Sequence, residues 1–150
     1  MKNVKSLLYQ QCVNLIDKRK QTVDKQILDI EENLRSETKS SAGDKYETGR
    51  AMLQLEREKA GRQLAEIENL KEALSRIELD HNSSQIRMGS LVYTSNANYF
   101  LSVSLGLIQL EGFSAYAISS QTPIGMLLMG KTVEDTITFN GNSFTIKTIV

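Results

Sequence analysis

The chain has 150 residues, and its 18 Lys plus Arg balance 18 Asp plus Glu, so no overall field draws it toward nucleic acid or an anionic membrane. One cysteine excludes an intramolecular disulfide, and no apolar run approaches the roughly 18 residues a membrane span requires. This length accommodates one extended helical domain and one compact domain of about 70 residues, near the lower size at which a single core suffices.

The N-terminal residues Met1-Lys2-Asn3-Val4-Lys5 lead into an amphipathic pattern that soon meets Gln10 and Gln11. That is unlike the apolar core of a secretory leader, so a cytoplasmic location is expected. From Tyr9, apolar or space-filling residues recur at Val13, Ile16, Val23, Ile27, Ile30 and Leu34, alternating four and three apart, with Lys20 breaking the series. This is a coiled-coil seam. A second run repeats it through Leu53, Ala60, Leu64, Ile67 and Leu74, flanked by Leu70 and Ile77, and neither run contains proline. At 1.5 Å per residue, each run of roughly 35 residues makes a rod on the order of 50 Å long.

Between the runs lies Ser40-Ser41-Ala42-Gly43-Asp44-Lys45-Tyr46-Glu47. Two helices joined by a short polar segment bury their stripes against each other, which predicts an antiparallel hairpin with this segment at its tip. A parallel dimer broken at Gly43 satisfies the same heptads, but the near-equal stripes on either side of one turn favour the hairpin. If the second helix has begun by Asp44, then Asp44 and Glu47, at i and i+3, share a face. Two carboxylates on a thin probe suit the hard-oxygen preference of Mg²⁺. Asp-x-x-Glu at a helix start is equally the pattern of a capping box, and the two roles are compatible.

Composition changes near His81. Fifteen of the 18 basic and 15 of the 18 acidic residues precede it, leaving three of each sign after it. The expected domains are therefore 1–80 and 81–150. The second is rich in β-branched and aromatic residues, and strands are expected at Leu91–Thr94, Tyr99–Val103, Tyr116–Ser119 and Thr136–Phe139. Asn140-Gly141-Asn142 is a hairpin turn signal. Ile124 to Met129, after Pro123 and before Gly130, is expected to be a short helix, which makes the chain α+β.

Cys12 reads as a small packing residue beside the seam, and His81, the lone histidine, as a polar linker residue. No Cys/His cluster has zinc-ligand spacing, no serine has a plausible histidine partner, and no glycine loop of phosphate-binding type is present. An autonomous hydrolase or nucleotide enzyme is not indicated. Lys18-Arg19-Lys20, Arg50, Arg57 and Arg62 are candidate contacts to a partner or to RNA, with solvated coiled-coil flanks as the ordinary alternative.

The segment Ile118-Ser119-Ser120-Gln121-Thr122-Pro123-Ile124-Gly125-Met126-Leu127-Leu128-Met129-Gly130-Lys131 resembles the Ile-Ser, Ser-Pro-Ile-Gly and Leu-x-Gly-Lys run of the bacterial Gre transcript cleavage factors. Met88 to Val92 resembles that family's opening strand and Gly141 to Ile149 its closing strand pair. Val133-Glu134-Asp135-Thr136-Ile137 stands where the family has Gly-Asp before a strand. The hairpin tip Gly43-Asp44-Lys45-Tyr46-Glu47-Thr48 is similar to the family's Gly-Asp-Leu-x-Glu-Asn, which places Asp44 and Glu47 on its two acidic positions. Where the family often continues with Asn-Ala-Glu and an aromatic residue, this chain has Thr48-Gly49-Arg50-Ala51. An acid is lost, a base gained, and a helical glycine costs about 1 kcal/mol relative to Ala.

The resemblance implies a small FKBP-like antiparallel-sheet domain behind the coiled coil, without isomerase activity following from it. It implies a monomeric transcription elongation factor that binds RNA polymerase, enters the secondary channel beside the nascent RNA 3′ end and stimulates cleavage of backtracked RNA. On that reading the chain is not an enzyme and has no cofactor of its own; Asp44 and Glu47 help hold a Mg²⁺ shared with the polymerase. Pro123, Ile124, Gly125, Met126 and Met129 are the expected docking residues, with core packing as their alternative. Two rival functions are a channel binder that modulates polymerase without cleavage and an interaction module unrelated to polymerase.

Overall fold

The computed structural model describes residues 3–39, 44–81 and 83–150, with 37–39 and 44–46 described by their backbone alone. Helix α1 spans Val4–Lys39 and α2 spans Asp44–Ser75; they are followed by strands β1 (Leu91–Thr94), β2 (Asn98–Leu101), β3 (Gly106–Leu110) and β4 (Phe113–Ile118). Helix α3 (Pro123–Leu128) and strands β5 (Thr136–Phe139) and β6 (Asn142–Ile149) complete the α+β chain. The residues pack as two compact units, one of Leu15–Lys71 and one of Met1–Asn14 with Glu72–Val150.

Within the first unit the heptad stripes of α1 and α2 face each other in an antiparallel hairpin. Ile16, Val23 and Ile30 of α1 and Ala60 and Ile67 of α2 are buried. Burying a side chain of this kind is worth roughly 1.5–3 kcal/mol, so the seam outweighs any local propensity. Lys20, the break in the heptad, turns its ammonium to Asp24 on its own helix at 2.8 Å, where the pair stays partly exposed.

In the second unit α1 begins with a cap: the Asn3 side-chain oxygen accepts from the Lys5 amide at 2.9 Å. Leu8, Cys12 and Leu74 carry the apolar stripe here, and Tyr9 donates to the Leu74 carbonyl at 3.1 Å. Burial pushes the Cys12 thiol up to about 11, partly offset by a hydrogen bond with Ser102. The single cysteine is therefore a packing residue, as expected.

The six strands form one sheet in the order β3-β4-β2-β1-β6-β5. Every neighbouring pair is antiparallel except β2 with β4, which is parallel. The exception follows from the chain path: β3 and β4 form a hairpin through Gly112 at φ 73°, and β4 then returns beside β2 in the same direction. β3 was not among the expected strands, and it is an edge. The Asn140-Gly141 turn joins β5 to β6 with both residues at positive φ, 51° and 79°, as a two-residue hairpin requires.

Ile86, Val92, Tyr99, Leu101, Ile118, Leu128, Ile137, Phe144 and Ile146 make the core cluster of the sheet and α3. Tyr99 stacks between Tyr116 and Phe144, with ring centroids 6.0 and 5.9 Å away.

Two glycines with opposite surroundings give a prediction. A Cβ on Gly125 would stand 2.0 Å from the Ser119 carbonyl oxygen, whereas one on Gly61, inside α2, would meet the flexible tip of Arg57 at 3.2 Å. In urea denaturation Gly125→Ala should cost roughly 2 kcal/mol or more by overpacking. Gly61→Ala should gain up to about 1 kcal/mol through helix propensity.

Candidate functional site

The hairpin turn expected at Ser40 to Gly43 lies outside the described residues. What is described is its exit. α2 begins at Asp44, so Asp44 and Glu47 occupy the first turn of a helix, three residues apart along one side of the backbone. The positive end of the helix dipole lies in the same turn and favours carboxylates there by roughly 0.3–1 kcal/mol. Glu47 is exposed and makes no hydrogen bond or ion pair among the described residues. The side chain of Asp44 lies outside those described.

Basic residues follow the acids on α2. Arg50 donates from Nη1 to the Leu34 carbonyl of α1 at 3.1 Å, and two turns on Arg57 meets Glu31 of α1 at 3.4 Å. Both arginines bridge the two helices. The Arg57–Glu31 pair is about 40% exposed on each side, so its contribution is about 0–1 kcal/mol, and its role is alignment more than stability. Lys18, Arg19 and Arg62 are exposed, while Lys20 is engaged by Asp24. Of the basic candidates, Lys18, Arg19 and Arg62 project into solvent.

The five residues expected to dock a partner separate by helical position. Thr122 caps α3, its hydroxyl accepting from the Gly125 amide at 3.1 Å and donating to the Ser119 carbonyl at 2.8 Å. Pro123 sits at the first turn, where its missing N–H costs nothing. Gly125 is buried, and Ile124 and Met129 pack against the core. Pro123 and Met126 remain exposed, Met126 at 60%, and Leu127 beside them is 38% exposed. Within this segment the surface available to a partner is thus Pro123, Met126 and Leu127.

Two residues, Lys5 of α1 and His81 between α2 and β1, have surroundings that the sequence reading did not anticipate. Lys5 is 2% exposed and donates to the carbonyls of Leu79 and Val150 at 2.8 and 3.1 Å. Its spacing held the signal, since Lys5, Leu8, Cys12 and Ile16 continue the apolar stripe with a lysine in it. His81, read as a plain linker residue, has both ring nitrogens shielded from solvent.

Among the described residues no group of three or more His, Cys, Asp or Glu is placed to hold a metal ion, and no helix is long and apolar enough to cross a membrane. No family model and no curated protein matches the chain. A solved structure described as that of the transcription factor Gfh1 is similar at 17% identity, covering 95% of this chain and 92% of its own, with a TM-score of 0.35.

The division of α3 into packed and exposed residues is open to measurement. Ile124→Ala should lower stability by about 2 kcal/mol, and Met126→Ala should change it by less than about 0.5 kcal/mol. Equal losses at the two positions in chemical denaturation would contradict the division.

Proposed function

We propose that the chain is a transcription elongation factor of the Gre type. It binds RNA polymerase, inserts its hairpin in the secondary channel and stimulates cleavage of backtracked RNA beside the nascent 3′ end. It acts in the cytoplasm as an accessory to the polymerase active site, not as an enzyme alone. The observation that carries this reading is the acid pair in the first turn of α2: Glu47 is exposed and uncommitted, and Asp44 precedes it by three residues at the hairpin turn. The resemblance of residues 118–131 and 43–48 to the Gre factors supports it.

The donor set fits Mg²⁺, which prefers carboxylate oxygens and keeps several waters. Asp44 and Glu47 would hold the ion together with the polymerase. Bound there, it would supply charge stabilisation and a positioned water for phosphodiester hydrolysis. The chain's own part is to present two carboxylates at the end of a slender hairpin, with Arg50 and Arg57 keeping α2 in register against α1. Docking would fall to the exposed surface at Pro123 and Met126.

One observation favours a second reading, in which the chain occupies the channel and modulates polymerase without cleavage. Arg50 stands three residues beyond Glu47, and Thr48 and Gly49 bring no further acid, so the local field is less negative than a purely acidic tip.

Backtracked complexes separate the readings. Cleavage should require Mg²⁺ and fall roughly tenfold or more with Asp44→Asn or Glu47→Gln, while polymerase binding and melting stay near those of the unmodified chain, since neutralising one first-turn carboxylate forfeits only roughly 0.3–1 kcal/mol. Full stimulation by Asp44→Asn would remove that carboxylate from the chemistry. Competition for the channel without stimulation by the unmodified chain would establish the modulator instead.

A further inference from the structure

After α2, residues 77–81 run between two neighbours of the same compact unit. From α1, the buried Lys5 ammonium donates to the Leu79 carbonyl at 2.8 Å and to that of Val150 at 3.1 Å. From the 87–90 turn, Gly89 at φ 91° approaches so closely that a Cβ would stand 2.2 Å from the Glu78 carbonyl oxygen and 3.2 Å from Ile77 Cγ2. The His81 amide donates to the Leu79 carbonyl at 3.1 Å, the same oxygen that Lys5 engages. The segment is therefore held on both sides at backbone level.

The ring of His81 is the exception to this order. Nδ1 and Nε2 are both shut away from solvent, and neither has a hydrogen-bond partner among the described residues. A backbone group of Gly89 beside the ring favours its protonated form, but the contact falls short of a formed hydrogen bond and is outweighed by burial. An imidazolium needs acceptors for two N–H groups, and a charge without them in a shielded position is costly. The charged surroundings add to that cost. Lys5 and Arg87 both oppose a further proton on the ring, and Glu78, which favours one, is shared with Arg87 at 4.0 Å. Asp80 acts on Lys5.

We propose that His81 is a proton-operated release for this junction. The neutral ring lets residues 77–81 lie between Lys5 and the 87–90 turn; a proton taken up in mild acid sets a second cation beside the Lys5 ammonium and frees the segment. Burial, then Lys5 and Arg87, hold the ring's pKa below the ordinary histidine value. The folded state thus binds the proton more weakly than the unfolded chain. Full stability is kept above the ordinary histidine value and lost as pH falls through the lower, folded one.

His81 is the only histidine, so its ring gives a single titration by NMR on the full chain. The ring should titrate below about 6.5, and Lys5→Met should move that midpoint upward. The Gly89 amide, which donates to the Leu101 carbonyl at 2.7 Å, reports the junction by hydrogen exchange. Its protection factor should fall by up to about tenfold per pH unit through the transition, and His81→Gln should hold it level. A ring titrating at or above about 6.5, or a midpoint unmoved by Lys5→Met, overturns the proposal. So does a protection loss as large in His81→Gln as in the unmodified chain. Where His81→Gln fails to fold, Gly89 protection that stays level in the unmodified chain while the ring titrates overturns the proposal.

Discussion

Each long helix carries a single apolar stripe, and among the described residues of 15–71 the stripe of one helix is covered by that of the other. That constraint sets the character of the hairpin. A layer two helices thick has one seam: Val23, Ile30, Ala60 and Ile67 lie in it, and Ile27, Leu34, Leu53 and Leu64 are half-buried along it. Leu28, Met52 and Leu55 show what such a layer cannot cover: they stay 64%, 59% and 64% exposed. With so few buried contacts, alignment falls partly to polar bridges, which is why Arg50 and Arg57 reach across to α1 near the turn. The acids of α2 are thereby mounted on a framework whose register is fixed within a few residues of them.

The heptads were legible because a seam repeats every seven residues and tolerates one exception; Lys20 broke the pattern without breaking the helix, its charge being satisfied four residues on by Asp24. Most strands were legible from β-branched and aromatic runs, and the Asn140-Gly141 turn from its tolerance of positive φ. β3 was not, because Gly-Leu-Ile-Gln-Leu at a sheet edge has neither clear alternation nor β-branched weight. Nor was the parallel β2–β4 pair, which depends on where β4 returns and not on any local residue preference. Lys5 stood in the apolar stripe, but its acceptors, the carbonyls of Leu79 and Val150, are distant in sequence and no local pattern encodes them. Nor did any local pattern show that the His81 ring nitrogens are shielded.

The candidate site divides the same way. That Asp44 and Glu47 share one side of a helix could be read from spacing, since i and i+3 do so once the helix start is known. The five apolar residues near Pro123 could not be sorted by type. Ile124 and Met126 are both large and apolar, and only the orientation of α3 sends one to the core and the other to solvent.

That sorting bears on what the resemblance to the Gre factors is worth. Its most specific residues each have a folding task here. Thr122 caps α3, Pro123 opens it, and Gly125 admits the Ser119 carbonyl where a Cβ would collide. Leu128 is fully buried, Gly130 takes φ 81° while donating to the Ile86 carbonyl, and the Lys131 carbonyl accepts from the Ile86 amide. A motif made of such residues speaks for a shared way of turning from β4 into α3 and on toward β5. Any chain folding this way would need much the same residues whatever it bound. Residues that folding does not require are the ones free for chemistry, above all Glu47, exposed and uncommitted beside Asp44 in the first turn of α2.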